Sequence, residues 1–275
     1  MEKHNIYLLA LLFSTIAGLS TLIGGSVAFF LKKNSVKILA IGLGFSAGVM
    51  IFVSLTELLP NSHEMILQTF GPKSGWITLL SFFAGMLIAV LIDFLIPDHI
   101  HNEEHSEEHL RACQEGGIFK TPEQIQRIKR VGLTTAIAVT IHNFPEGLAT
   151  FFATTASLKL GFSVFLAIAI HNIPEGIAIA VPIFHATNSK RKALSYCLLA
   201  GLAEPLGGIL GFLLIHFLFP EISIALIFAL IAGIMTYISF DTILPLAHEY
   251  DTAHYSITGV VVGMLVMGIT IMGFN

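Results

Sequence analysis

Charge is what this sequence lacks most. Only 12% of its 275 residues are Asp, Glu, Lys or Arg, about half the share of a soluble domain. A water-facing surface needs more, so a soluble globular chain is excluded. Cysteine is scarce as well. Cys113 and Cys197 are the only two, too few for a disulfide framework and not spaced as zinc ligands. The lack of thiolates also argues against a Cu(I) site. No basic patch is present: the 14 Lys and Arg are scattered among connecting segments and the net charge is −4, which leaves no footprint for nucleic acid. Long polar segments are missing too, apart from residues 98–130.

What remains is apolar. Hydrophobic residues make up 55% of the chain and the mean hydropathy is +0.82. These values belong to an all-α polytopic membrane protein whose main partner is the lipid bilayer. Eight spans are expected, at about 6–31, 36–59, 75–97, 131–155, 160–185, 192–219, 221–246 and 255–273, forming one transmembrane domain over 1–275. The first run is longer than a signal-peptide core and ends at Lys32-Lys33, so it reads as a retained span. If the N-terminus lies outside, 11 of the 14 Lys and Arg fall in or beside inner loops, with Lys3, Lys73 and Lys159 as the exceptions. The positive-inside rule therefore puts both termini outside and residues 98–130 in the cytosol.

One phrase occurs twice. Residues 140–149 read T-I-H-N-F-P-E-G-L-A, and 169–178 read A-I-H-N-I-P-E-G-I-A, 29 residues later. On a helix, His142, Asn143 and Glu146 share a face, as do His171, Asn172 and Glu175. Pro145 and Pro174 deprive the carbonyls of Ile141 and Ile170 of their helical donors. Gly147 and Gly176 permit close helix approach. A lone intramembrane histidine commonly just bonds a neighbouring carbonyl. Two copies with the same spacing offer two imidazoles, two carboxylates and two carboxamides at membrane depth, and point to a metal site.

Other segments repeat as well. Gly48–Glu64 (G-V-M-I-F-V-S-L-T-E-L-L-P-N-S-H-E) matches Gly233–Glu249 (G-I-M-T-Y-I-S-F-D-T-I-L-P-L-A-H-E). Gly18-Leu-Ser-Thr-Leu-Ile-Gly-Gly matches Gly201-Leu-Ala-Glu-Pro-Leu-Gly-Gly, setting Thr21 opposite Glu204. Spans 3 and 8 share only Gly-Met-Leu, at 85–87 and 263–265. With eight spans, the matched members run in opposite directions. The expected architecture is an inverted repeat, three spans plus one followed by one plus three, as in transporters.

Glu204 is a third buried carboxylate. It is either a protonated, locally bonded carboxyl or a metal ligand, and its Pro and Gly neighbours favour the ligand. Glu57 and Asp241 lie near the mouths, lining a path or only the interface; Asp93 is similarly open. His63-Glu64 and His248-Glu249 either handle metal at the two faces or are solvated helix ends. His4, His185, His216 and His254 read as structural. The stretch D-H-I-H-N-E-E-H-S-E-E-H from Asp98 is a flexible His/Glu tract of a kind that binds metals weakly, or a solvated acidic linker.

Imidazole with carboxylate suits Zn²⁺, Fe²⁺, Co²⁺ or Mn²⁺. Three readings follow: a metal transporter, a passive metal channel, or an intramembrane hydrolase with His142 as ligand and Glu146 as base. The near-identical copies, and the absence of a third His for an open zinc site, count against the hydrolase.

These motifs resemble the ZIP (Zrt/Irt-like) family of divalent-metal transporters, in particular its bacterial ZupT-like branch, over nearly the whole chain. The resemblance implies import of Zn²⁺ and related ions (Fe²⁺, Mn²⁺, Co²⁺, Cd²⁺) into the cytosol, with the ions as cargo rather than cofactor. It implies a first metal on His142, Glu146, His171 and Glu175. A second would take Asn143, Asn172 and Glu204, with Glu146 and Glu175 bridging. It also implies an elevator-like movement of spans 1, 4, 5 and 6 against 2, 3, 7 and 8, and assembly as a homodimer.

Overall fold

Lipid offers the backbone no hydrogen bonds, so a chain this apolar satisfies its amides within helices. The computed structural model describes residues 3–30, 36–95, 122–217, 221–249 and 254–274, and these are almost entirely helical, without a strand. The helices are α1 (Lys3–Val27), α2 (Val36–Val53), α3 (Leu59–Phe70), α4 (Ser74–Leu95), α5 (Pro122–Ala156) and α6 (Leu158–Thr187). They continue with α7 (Lys190–Gly201), α8 (Ala203–Phe217), α9 (Glu221–Ile238), α10 (Leu244–Glu249) and α11 (Tyr255–Phe274). The outer faces carry exposed Leu80, Phe94 and Met272, while the interior holds His, Asn and Glu. Polar groups inside and apolar groups outside define a polytopic membrane protein.

Among the described residues, six helical stretches are long and apolar enough to cross a membrane. Lys37–Phe94 is one continuous stretch of 58 residues covering two expected spans, and Lys190–His216 covers α7 and α8 together. Helix α5, which carries the first copy of the repeated phrase, is not among the six.

Several helices differ in extent from the expected spans. The helix of the second span does not stop at 59. It passes through a π-turn at Ser54–Leu58 into α3, which runs to Phe70. The seventh does the same through Ser239–Ile243 into α10. In each turn the following N–H bonds back five residues, Leu59 to Ser54 O and Leu244 to Ser239 O. Pro60 and Pro245 follow at once, and the wider turn absorbs the bond each proline cannot make. The sixth span is broken at Leu202, because Pro205 has no N–H for the Gly201 carbonyl. The fourth begins at Pro122 rather than 131, so the end of the 98–130 loop is helical. The rest of that loop, with His99, His101, His105, His109 and Cys113, lies outside the described residues.

Helices α1, α5, α6, α7 and α8 pack together as one group. Against it lie two pairs, α2 with α11 on the α6 side and α9 with α4 on the α5 side. Close backbone approach joins each pair. A Cβ on Gly85 would strike the Leu230 carbonyl oxygen, and one on Gly263 the Phe45 carbonyl oxygen. Phe45 and Leu230 are register-matched, as are the two glycines. The three-residue likeness of the third and eighth spans therefore marks corresponding contacts.

Candidate metal centre

Ser157 alone joins α5 to α6, in extended backbone (φ −156°, ψ 132°), so the two helices run back side by side. Both continue through their prolines. A Cβ on Gly147 would strike the carbonyl oxygen of Glu204, and one on Gly176 that of Thr21. These close approaches draw α8 and α1 against the two copies of the phrase.

All seven expected ligands are buried: His142, Asn143, Glu146, His171, Asn172, Glu175 and Glu204 are each at most 2% exposed. The copies pair crosswise. His171 Nε2 lies 3.1 Å from Glu146 Oε1, and His142 Nε2 lies 3.4 Å from Glu175 Oε2. Glu146, His171 and Glu175 each offer a ligand atom within 4.8 Å of the others. His142 stands just outside this tight triad, against Glu175.

The carboxamides are oriented by the backbone. Asn143 Nδ2 donates to Ala200 O at 3.1 Å, and Asn172 Nδ2 donates to Ala17 O at 3.0 Å. Asn172 Nδ2 also donates to Glu204 Oε1. With the amide nitrogens spent on protein, the oxygens are left over. Asn143 Oδ1, Glu146 Oε2, Asn172 Oδ1 and Glu204 Oε2 are all buried without a hydrogen-bond donor, and Glu175 Oε2 has only the 3.4 Å contact with His142 Nε2. Each such group costs about 1–3 kcal/mol. Five together, with two imidazoles, form the hard-to-borderline donor set that divalent ions take.

Sequence reasoning missed Ser46. Its hydroxyl donates to Glu175 Oε1 at 2.6 Å, tying this carboxylate to α2. The register-matched residue is the buried Ile231, so Glu146 receives no equivalent bond. A serine in an apolar run gives no signal of such a role. The other candidates lie away from the centre. His63 Nδ1 is 3.3 Å from Thr78 Oγ1, and His248 Nδ1 is 3.0 Å from Ser256 Oγ. These matched contacts link α3 to α4 and α10 to α11. His216 stacks on Phe212. Glu57 is half-buried in its π-turn and feels the charge of Lys159 at the start of α6. Asp93 lines a cavity of about 60 Å³ together with Ile137, His142, Pro145, Tyr237 and Thr242. Tyr237 hydrogen-bonds Asp241 beside it. The cavity thus joins His142 to the ends of α4 and α9.

Comparison with known proteins agrees with this geometry. The family model described as ZIP Zinc transporter matches residues 96–271, which include both copies of the phrase and Glu204. The zinc transporter ZupT of Akkermansia muciniphila is 48% identical over 96% of this chain and 97% of its own length. That of Clostridium perfringens is 42% identical over 99% and 98%, and that of Campylobacter jejuni 45% over 96% and 95%. Likeness of this extent covers nearly the whole chain, so this chain belongs to the ZIP zinc transporter family.

Proposed function

We propose that the protein imports Zn²⁺, and with it Fe²⁺, Mn²⁺, Co²⁺ and Cd²⁺, across the cell membrane into the cytosol through a two-metal site between α5, α6 and α8. The observation that carries this reading is the set of five buried oxygens on Asn143, Glu146, Asn172, Glu175 and Glu204, four of them without a donor. The first ion binds His142, Glu146, His171 and Glu175. The second binds Asn143, Asn172 and Glu204, and the carboxylates of Glu146 and Glu175 bridge the two. Mixed carboxylate and carboxamide ligation holds an ion weakly enough to release, which a closed His/Cys cage does not. The relatives' names as zinc transporters support cargo rather than a hydrolase's catalytic metal.

The architecture is an inverted repeat of eight spans. Its support is that contacts recur in register: Gly147–Glu204 with Gly176–Thr21, and Asn143–Ala200 with Asn172–Ala17. The Ser14 hydroxyl donates to Gly147 O at 3.2 Å, and in the matched place the Cys197 thiol donates to Gly176 O at 3.4 Å. The two π-turns coincide in register as well. With both termini outside, the cavity between His142 and Asp93 faces the cytosol and serves release. Residues 98–130 form a cytosolic His/Glu-rich loop, and two copies of the chain assemble as a dimer.

The test is metal entry into liposomes holding the purified protein, with Zn²⁺, Fe²⁺, Mn²⁺, Co²⁺ and Cd²⁺ in competition. Protein-dependent accumulation, strongest for Zn²⁺, is expected. Entry no faster than into protein-free liposomes would overturn the reading.

A further inference from the structure

The expected ligand positions are two-sided except at one. Glu204 of α8 has Thr21 of α1 as its register partner, and the backbones around them correspond. A Cβ on Gly18 would lie 3.3 Å from the Glu204 Cβ, and one on Gly201 would lie 3.6 Å from the Thr21 Cβ. The carbonyls of the two residues lie against Gly147 and Gly176 in the same way. Thr21 Cβ therefore stands where a second Glu204 would begin.

The Thr21 hydroxyl is fully buried and has no hydrogen-bond partner. That is unusual in its own helix. Ser14, Thr15 and Ser26 all bond back to the carbonyl four residues earlier, at 3.1, 2.7 and 2.9 Å. For Thr21 that acceptor is Ala17 O, which already receives the helical N–H of Thr21 itself, Ser20 Oγ at 2.6 Å and Asn172 Nδ2 at 3.0 Å. Its two lone pairs are more than filled. By anchoring Asn172, the carbonyl denies Thr21 its ordinary bond.

A threonine hydroxyl ends about 2 Å short of a glutamate carboxylate built from the same Cβ. For an ion equally far from the two Cβ atoms and bound by Glu204 at about 2.1 Å, the Thr21 hydroxyl would stand about 4 Å away. That is too far for a ligand, and it is the separation of a group bonded at about 2.7 Å to a metal-bound water. We propose that Thr21 Oγ1 accepts a hydrogen bond from a water retained on the second cation, making Thr21 a specificity-determining residue of the transporter. The inference rests on the two-metal reading above. Zn²⁺ is content with four ligands, whereas Mn²⁺ prefers six oxygens and keeps its water. Thr21 therefore favours the ions that travel partly hydrated.

The experiment is simultaneous uptake of Zn²⁺ and Mn²⁺ into liposomes holding the parent protein, Thr21→Val or Thr21→Ser. Valine keeps the shape and removes the hydroxyl; serine keeps the hydroxyl. Thr21→Val is expected to lower the Mn²⁺/Zn²⁺ uptake ratio about fivefold, the size of one net hydrogen bond, while Thr21→Ser keeps the parent ratio. An unchanged ratio in Thr21→Val overturns the inference and leaves the two-metal reading standing. Failure of the parent to accumulate either metal overturns the reading itself. If Thr21→Val transports neither metal, competitive Mn²⁺ and Zn²⁺ binding to the purified variant gives the same ratio and decides the matter.

Discussion

Adding one methyl group at Gly147 reaches the metal centre without altering any ligand. In Gly147→Ala the new Cβ would lie 2.6 Å from the Glu204 carbonyl carbon and 2.7 Å from its Cα, and still closer to its carbonyl oxygen. Carbon atoms rest at about 3.5 Å, so the start of α8 must retreat by about 1 Å. The obstructing atoms are backbone, and no rotamer change relieves them. Overpacking of this kind costs about 1–3 kcal/mol. The retreat also carries Glu204 away from Asn172, to which it is bonded. Disturbing the support of a metal ligand lowers affinity about 10–100-fold. Gly75→Ala is the control, because its Cβ meets only His63 Cε1, at 4.0 Å. Zinc titration and thermal unfolding of both purified variants give affinity and stability, and liposome uptake gives transport. Gly147→Ala is expected to bind zinc about 10–100-fold more weakly, with Gly75→Ala at the parent value. Parent-like affinity in Gly147→Ala would refute the close approach of α8 to α5 as the device that places Glu204.

Two further outcomes follow from the arrangement of the chain. Cys113 lies in the loop rich in Lys and Arg, so a membrane-impermeant thiol reagent is expected to spare it in intact cells and label it after permeabilisation; labelling in intact cells would invert the orientation. Replacing His99, His101, His105 and His109 together by Ser is expected to leave most metal uptake in place, since the proposed ligands lie on α5, α6 and α8. Uptake as low as that of Glu146→Ala, at equal protein in the membrane, would make the loop part of the path.

Much of the site was legible because its chemistry is out of place. His, Asn and Glu in an apolar run stand out, and a second copy at fixed spacing removes chance. Helix identity followed from apolar length for most spans, though α5 is not among the stretches apolar enough by themselves. Boundaries were harder. Pro60 and Pro245 were visible as a repeated pair, but whether a helix answers a proline with a π-turn, as at Ser54–Leu58, or with a break, as at Leu202, depends on packing that sequence does not carry. Ser46 was invisible for a related reason: its hydroxyl matters only because α2 brings it to Glu175. The equivalence of Ser14 and Cys197 was equally hidden, since hydroxyl and thiol share no letter and only their matched bonds to Gly147 and Gly176 reveal it. His63 and His248 stay open in the sequence between metal handling and solvated helix ends, and the structure adds only that each ring bonds a hydroxyl on the next helix.

In the proposed mechanism, two bridging carboxylates and one dispensable carboxylate carry the ions. Glu146 and Glu175 touch both metal positions in this account, and Glu204 touches only the second. The most direct measurement is uptake of Zn²⁺, Mn²⁺ and Cd²⁺ by cells carrying Glu146→Ala, Glu175→Ala or Glu204→Ala, normalised to protein in the membrane. Glu146→Ala and Glu175→Ala are expected to abolish uptake of every metal. Glu204→Ala keeps a measurable fraction with altered metal preference, and Asn143→Ala and Asn172→Ala resemble it. Glu204→Ala as inactive as Glu146→Ala for all three metals, or Glu146→Ala with substantial uptake of any, would contradict the account.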